Sequence, residues 1–220
     1  KYAYKTMLAM KNPLKSVDRV YPLAFDEISN HDGYYFGVKI SLYLTNEMEE
    51  KLNQCSYYLH TRDQSSLGGR AIDINLKNPI TGLPMTESSS GTAINVFLGI
   101  NDIGMGTDGG GSVLAPAVSL NLFSVIDPLL FYEERKKENE KVSTDGISFM
   151  PSIGLISRNL KLLRELYLKL RVLEDFNQRV KILVDDKNIC DLFNDEEVDL
   201  DTFEGKYTDE RLELIETTKR

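Results

Sequence analysis

The stretch GMGTDGGGSVLAPA, residues 104–117, constrains this chain more than any other, because it places three consecutive glycines directly before a serine. Glycine loses more backbone freedom on folding than any other residue, so an ordered triple glycine is expected to serve a defined purpose. A flexible turn, a phosphate-binding loop and a loop that presents a nucleophile are three such purposes. The sequence around the glycines has to decide between them.

The triple glycine itself fits none of the familiar glycine-containing motifs. No Gly-Lys-Ser/Thr follows it, which excludes a P-loop, and three consecutive glycines lack the G-x-G-x-x-G spacing of a dinucleotide-binding site. The G-x-S-x-G pattern of a nucleophile elbow is also missing. A plain turn therefore stays open as the simplest interpretation of the stretch taken alone.

Composition narrows the range of functions further. The formal net charge of the 220 residues is −8, so binding to a nucleic-acid backbone would be electrostatically unfavourable, and no nucleic-acid partner is expected. The chain has two histidines, His31 and His60, and two cysteines, which is little material for a metal site or a Ser-His-Asp triad. We predict no metal, no cofactor and incidental roles for both histidines.

Helix and strand patterns alternate along the chain, which favours an α/β fold. Tyr34–Leu44 is rich in aromatic and β-branched residues and predicts a strand, and the cap and early acids of residues 45–54 predict a helix. Further along, strands are predicted at 55–60, 101–106 and 179–185, and helices at 91–99 and 157–173. In the last helix, one face is predicted to consist of Ile156, Leu160, Leu163, Tyr167 and Leu170.

The length predicts a single domain over residues 1–220. It comprises an N-terminal segment at 1–33, a charged exposed insertion at 133–146 and an acidic segment at 195–220 that forms a solvated tail or a thin surface helix. No apolar run approaches the roughly 20 residues of a membrane span. We expect a cytoplasmic protein, although the first residue is Lys1 and not Met, which leaves a removed leader open.

A serine cluster upstream of the glycines favours a loop that presents a nucleophile over a plain turn. TESSSGTAINVFLG, residues 86–99, and GTDGGGSVLAPA, residues 106–117, together resemble the amidase signature family. Its hallmark is Gly-Gly-Ser-Ser-Gly-Gly-Ser, a small-residue helix and then Gly-Thr-Asp-x-Gly-Gly-Ser-x-Arg-x-Pro-Ala. Ser88 and Ser112 lie 24 residues apart, as in that family, and Leu114 stands where the family has arginine. The resemblance extends over about residues 37–184.

This resemblance implies a mixed β-sheet core covered by helices, truncated relative to the family. It also implies hydrolysis of an amide by a Ser-cisSer-Lys triad, with Ser112 as nucleophile, Ser88 as the bridging serine in a cis peptide and Lys39, from FGVKIS, as base. A lysine accepts a proton only when neutral, and burial favours the neutral amine. The backbone of Gly109, Gly110 and Gly111 would form the oxyanion hole. Supporting roles fall to Thr107, Asp108 and Ser89.

Several departures keep a second hypothesis open. Ser112 could simply cap a helix, Lys39 could be a strand lysine that reaches solvent, and Ile40 replaces an acidic residue. Thr86, Glu87 and Ser90 stand where glycine is usual, and the chain is about half the usual length. The first hypothesis is a hydrolase of a small-molecule or peptide amide. The alternative is a catalytically weak binding or scaffold subunit of a larger, peptide-modifying assembly, and a homo- or hetero-oligomer fits either hypothesis.

Overall fold

A computed structural model describes residues 2–21, 33–66, 72–135, 141–142, 146, 148–171, 181–184 and 199–202. The chain falls into two compact units, residues 1–172 and 173–220, and the single-domain organisation stays a prediction. The second unit contains two paired parallel strands, β11 (Lys181–Val184) and β12 (Asp199–Thr202).

The first unit is organised around a six-stranded mixed sheet with the strand order β1-β3-β2-β6-β10-β7. The central strands β3, β2 and β6 are parallel, whereas β1, β10 and β7 are antiparallel to their neighbours. Two further hairpin-like pairs, β4–β5 and β8–β9, lie outside this sheet. The strands of the unit are β1 Val17–Val20, β2 Tyr34–Lys39, β3 Tyr57–Asp63, β4 Ile72–Lys77, β5 Pro84–Thr86, β6 Ile103–Asp108, β7 Phe123–Asp127, β8 Lys141–Val142, β9 Ser148–Phe149 and β10 Ser152–Ser157.

Helices cover both faces of the sheet. They are α1 Tyr2–Lys11, α2 Asn46–Gln54, α3 Ser90–Phe97, α4 Leu114–Ser119, α5 Tyr132–Arg135 and α6 Leu160–Leu170. Buried leucines and methionine of α2 and α6 pack on one face, against alternate residues such as Phe36 and Met105. On the other face, α3 and α4 form a second core that includes Ile94 and Ala117. The predicted α/β fold is therefore confirmed.

Most of the predicted elements are present, with shifted boundaries. The strand predicted at Tyr34–Leu44 ends at Lys39, and the helix predicted at 45–54 is α2, with Thr45 as its N-cap. The last predicted helix is α6, but the prediction of which of its residues face the core is wrong in part. Ile156 belongs to β10 and Leu160 is 56% exposed. The buried face is formed by Leu162, Leu163, Leu166 and Leu170, because leucines occur on several sides of α6 and packing against the sheet selects these four.

Two surface segments differ in part from the sequence prediction. The predicted exposed insertion at 133–146 begins inside helix α5, where Arg135 is buried and Glu134 pairs with Lys51 of α2, whereas Glu133, Val142 and Gly146 are exposed as predicted. Residues 199–202, predicted as tail or helix, form strand β12 because they pair with β11. The remainder of 195–220 lies outside the described residues.

Glycine on the central strands lets α3 approach the sheet closely. A Cβ at Gly106 of β6 would lie 2.5 Å from the Oγ of Ser89, which precedes α3. At Gly104 a Cβ would lie 2.5 Å from a methyl group of Thr92. Real Cβ atoms do not come so close, so only glycine fits here. The start of α3, with its serine cluster, is thereby held against the end of β6.

A chain of buried polar side chains joins β3 to α3 and to the start of β6. The Thr61 hydroxyl donates to Asp63 Oδ1 at 2.6 Å, and Asn95 Nδ2 of α3 donates to the same oxygen at 2.7 Å. Asn101 Nδ2 donates to Thr61, and Asn101 Oδ1 lies 2.9 Å from His60 Nδ1. Asp63 is fully buried, and its Oδ2 has no hydrogen-bond partner within the described part of the chain.

Protonation of Asp63 is expected to make the stability of the chain depend on pH. Burial raises the pKa of this carboxyl to about 7, against the lowering effect of its hydrogen bonds. In the unfolded chain the group titrates near pH 4, so the free energy of unfolding should fall as pH rises from about 4 to 7 and level off above. Asp63→Asn, which stays neutral, should remove this slope and raise stability at pH 8 by about 2–4 kcal/mol.

Urea denaturation at pH 5 and pH 8 measures this effect. The exposed Asp18→Asn on β1 is the matched control and should leave the slope unchanged. Parallel pH profiles for wild type and Asp63→Asn would contradict the assignment of the slope to Asp63.

Among the described residues, no helix is both long enough and apolar enough to cross a bilayer.

Candidate active site

The predicted site residues lie at one edge of the sheet, where the parallel strands β2 and β6 end. Lys39 is the last residue of β2, and Thr107 and Asp108 are the last two of β6. The carboxyl ends of neighbouring parallel strands meet at the same edge, where open α/β sheets commonly bind ligands. The Ser88 and Ser112 segments reach this edge from the loops before α3 and α4.

Lys39 and Ser88 are in direct contact. The Nζ of Lys39 donates to Ser88 Oγ at 2.6 Å, and it makes longer contacts of 3.4 and 3.5 Å with the side-chain and backbone oxygens of Thr107. The lysine side chain is inside the protein, with 4% of the residue exposed. Lys39 therefore does not reach solvent, so its position differs from that of the strand lysine considered as the alternative. The Glu87–Ser88 peptide bond is cis.

The loop that carries Ser112 is organised by the carboxylate of Asp108. Oδ1 accepts from the amides of Gly110 and Gly111 at 3.0 and 2.6 Å. Oδ2 accepts from the amides of Val113 and Leu114 at 2.6 and 3.2 Å. Asp108 thus binds the backbone on both sides of Ser112 and fixes the conformation in which this serine is presented.

The charge state of Asp108 follows from these contacts. Burial alone would raise its pKa, but the four backbone N–H donors more than offset that effect, so the pKa lies below the usual range. The carboxyl is therefore ionised at neutral pH, which is the form that accepts four hydrogen bonds.

Ser112 lies beside the serine cluster and connects to it through the backbone. The amide of Ser89 donates to the Ser112 carbonyl at 2.9 Å. Ser112 is half-buried, and within the described residues no hydrogen bond joins its hydroxyl to that of Ser88. Catalytic hydrogen bonds are often long in unliganded enzymes and tighten only around the substrate. Ser89 is fully buried, and its Oγ has no partner in the described part of the chain.

The oxyanion hole predicted from three glycine amides needs correction. The amides of Gly110 and Gly111 donate to Asp108, so they are not directed at a ligand in this conformation. The reason is that Gly111 has a φ of 99°, which turns the loop back over the carboxylate. The amides of Gly109 and Ser112 have no acceptor among the described hydrogen bonds and remain available.

Of the two glycines that Asp108 holds, only Gly110 could be replaced without backbone strain. A Cβ at either position would meet no atom within 4 Å, but the positive φ of Gly111 disfavours any other residue there. The conformation of the loop therefore depends on glycine at position 111, whereas position 110 tolerates a side chain sterically.

The sequence reasoning missed the buried polar chain around Asp63. His60, predicted to be incidental, is fully buried and hydrogen-bonded in this chain, and burial lowers its pKa. His31 lies outside the described residues. No group of metal-ligating side chains occurs among residues that the structure describes.

Comparison with solved structures identifies proteins of similar fold. An amidase family protein from Bacillus anthracis str. Ames superposes with a TM-score of 0.59 at 16% identity, over 79% of this chain and 44% of that one. The peptide amidase of Stenotrophomonas maltophilia gives 0.53 at 16%, over 79% and 44%. A 6-aminohexanoate cyclic dimer hydrolase gives 0.55 at 14%, over 80% and 43%. The fold is shared with known amidases.

The likeness is limited to the fold and to part of the neighbours' length. The chain spans less than half of each of these proteins. No family model matches the sequence, and no curated protein matches it either. What the neighbours act on therefore bears on this chain only as a hypothesis about function.

Proposed function

We propose that the chain is an amidase-like hydrolase that cleaves a carboxylic amide through an acyl-Ser112 intermediate. The contact between Lys39 Nζ and Ser88 Oγ, 2.6 Å long and buried, carries this proposal. A buried lysine on a serine hydroxyl, next to a second serine on a glycine loop, provides a base, a relay and a nucleophile without histidine. A small-molecule or peptide amide is the substrate, in line with the peptide amidase among the neighbours.

The first half of the reaction transfers the acyl group to Ser112. Neutral Lys39 takes the proton of the Ser88 hydroxyl, and Ser88 takes that of Ser112 as the Ser112 Oγ attacks the amide carbonyl. The carbonyl oxygen becomes negatively charged in the tetrahedral intermediate, beside the amides of Gly109 and Ser112. When the C–N bond breaks, the proton returns through Ser88 to the departing amine, which leaves as a neutral molecule.

The second half releases the acid. Water attacks the acyl-Ser112 carbonyl while its proton passes to Ser88 and Lys39, and the collapse of the second tetrahedral intermediate restores the Ser112 hydroxyl. Thr107 has a positioning role in both halves, because its two oxygens lie 3.4 and 3.5 Å from the Lys39 amine. Asp108 positions the nucleophile through the four loop amides.

One observation favours the alternative, a catalytically weak subunit with a binding or scaffold role. Two of the three glycine amides donate to Asp108, which leaves fewer donors for an oxyanion. Removal of one such donor typically costs an enzyme about 10²–10³ in rate. Under this alternative the chain contributes its fold to a larger assembly and not turnover.

A serine-directed fluorophosphonate distinguishes the two hypotheses without knowledge of the substrate. The reagent resembles the tetrahedral intermediate, so its reaction needs an activated serine and an oxyanion site. We expect a single covalent adduct, located on Ser112 by peptide mass spectrometry of the labelled protein. A folded sample that remains unlabelled, or that is labelled on several serines at similar rates, would support the scaffold hypothesis.

A further inference from the structure

A cavity lies at the other end of the sheet from Lys39 and Ser112. It measures about 960 Å³, within the range of small-molecule sites. Asn101 and Asp102, which precede β6, lie on its floor, whereas Thr107 and Asp108, at the end of β6, belong to the candidate active site. The two sites are thus separated by the length of β6, and the proposed hydrolysis makes no use of this cavity.

Three cations line the cavity, and two of them, Arg158 and Lys161, have little charge compensation from neighbouring carboxylates. The third, Lys5, has its Nζ 3.0 Å from Asp102 Oδ1, so these two charges cancel. The Arg158 guanidinium donates one hydrogen bond to the Phe97 carbonyl at 3.1 Å, and the residue lines the cavity. Lys161 is largely exposed, and its Nζ lies 3.9 Å from Glu165 Oε1. An exposed ion pair at this distance contributes little free energy in water. The wall therefore carries a positive charge excess.

The placement of these cations is unfavourable for the helix they adjoin. Arg158 and Lys161 flank the Asn159 cap at the N-terminus of α6, and the first turn of α6 contains no acidic residue. The amino end of a helix carries partial positive charge, so acids and not bases are favoured there. Sequences depart from such local preferences mainly where function requires it. An anion in the cavity would compensate both cations and the helix end.

We propose that this cavity binds a small organic anion with an aromatic or aliphatic body. The phosphate or carboxylate head contacts Arg158 and Lys161, as charge-assisted hydrogen bonds to these side chains would favour. The body lies against the apolar side of the cavity, where Tyr34, Leu98 and Leu160 form part of the wall. Leu160, at 56% exposure, is the inward-predicted leucine that α6 instead directs away from the core.

Isothermal titration calorimetry at constant ionic strength tests this proposal with phenyl phosphate, benzoate and phenol. We expect saturable binding of the two anions and none of phenol. Arg158→Gln and Lys161→Gln should each weaken binding on the order of tenfold, the usual effect of losing a hydrogen bond to a charged group. Leu160→Ala should weaken phenyl phosphate but not inorganic phosphate.

Two matched variants complete the experiment. Lys169→Gln removes an exposed charge from the last turn of the same helix and should bind as wild type. Ser112→Ala should also bind as wild type, since the proposed nucleophile lies at the other end of β6. The proposal is overturned if Arg158→Gln and Lys161→Gln bind phenyl phosphate as tightly as Lys169→Gln, or if phenol binds as well as the anions.

Discussion

Ser112→Ala is expected to abolish covalent labelling by a fluorophosphonate, and Lys39→Met to slow it by about 10²–10⁴-fold. Alanine removes the attacking oxygen. Methionine keeps the buried aliphatic stem of Lys39 but cannot accept a proton from Ser88, whose Oγ is 2.6 Å from the lysine amine. Ser88→Ala should fall in the same range as Lys39→Met, because either change interrupts the same proton relay. The measurement is the pseudo-first-order rate of adduct formation, followed by intact-protein mass spectrometry.

Controls distinguish loss of chemistry from loss of fold. Lys77→Met, on an exposed position of β4, and Ser124→Ala, on β7, should label at the wild-type rate. Far-UV circular dichroism of every variant should match wild type before rates are compared. An unchanged rate in folded Lys39→Met would remove the lysine from the proposed mechanism, whatever the outcome for Ser112.

Asp108→Asn is expected to reduce both labelling and stability. An asparagine can accept two of the four loop hydrogen bonds through its oxygen, but its NH₂ group would face the other amides donor to donor. We expect a loss of about 2–4 kcal/mol in the free energy of unfolding, from lost charge-assisted bonds and orphaned amides. Labelling of Ser112 should slow by about 10²-fold, because a misplaced nucleophile reacts poorly.

The pH dependence of the Asp108→Asn effect provides an internal check. The pKa of Asp108 is lowered on folding, so its stabilising contribution is present above about pH 4, where the unfolded chain also has the carboxylate. That contribution is lost as pH falls through the lower, folded pKa. The stability difference between wild type and variant should thus be constant from pH 5 to 8 and shrink in stronger acid. A difference that grows in acid would assign another role to Asp108.

The strands and helices around the site could be predicted from sequence because their signals are local. Thr45 caps α2 through its own side chain, and β2 is rich in aromatic and β-branched residues. The family motif likewise connected Ser88 with Ser112, and their segments do meet through the Ser89 amide and the Ser112 carbonyl. These features need only neighbours in sequence or a recognisable pattern.

The features that sequence did not reveal arise from contacts between distant segments. That Asp108 would bind two of the three glycine amides depends on the turn at Gly111, which a motif does not encode. Asp63 and Asn95, 32 residues apart in the chain, meet only because α3 packs closely on the sheet. The buried side of α6 was missed for a similar reason, since leucines occur around much of this helix and tertiary packing decides which of them are buried.

The arrangement of the Asp108 loop also indicates where the chain can be altered in the laboratory. The four amides on Asp108 define the shape of the loop, and the Cβ direction at Gly110 points into open space at the same edge of the sheet as Lys39. A saturation library at position 110, with Gly111 and Asp108 left intact, would introduce side chains near Ser112, the proposed nucleophile, while the Asp108 carboxylate that organises the loop is kept. Variants with altered selectivity could then be selected by changing this one position, because the Asp108 contacts hold the conformation of the loop.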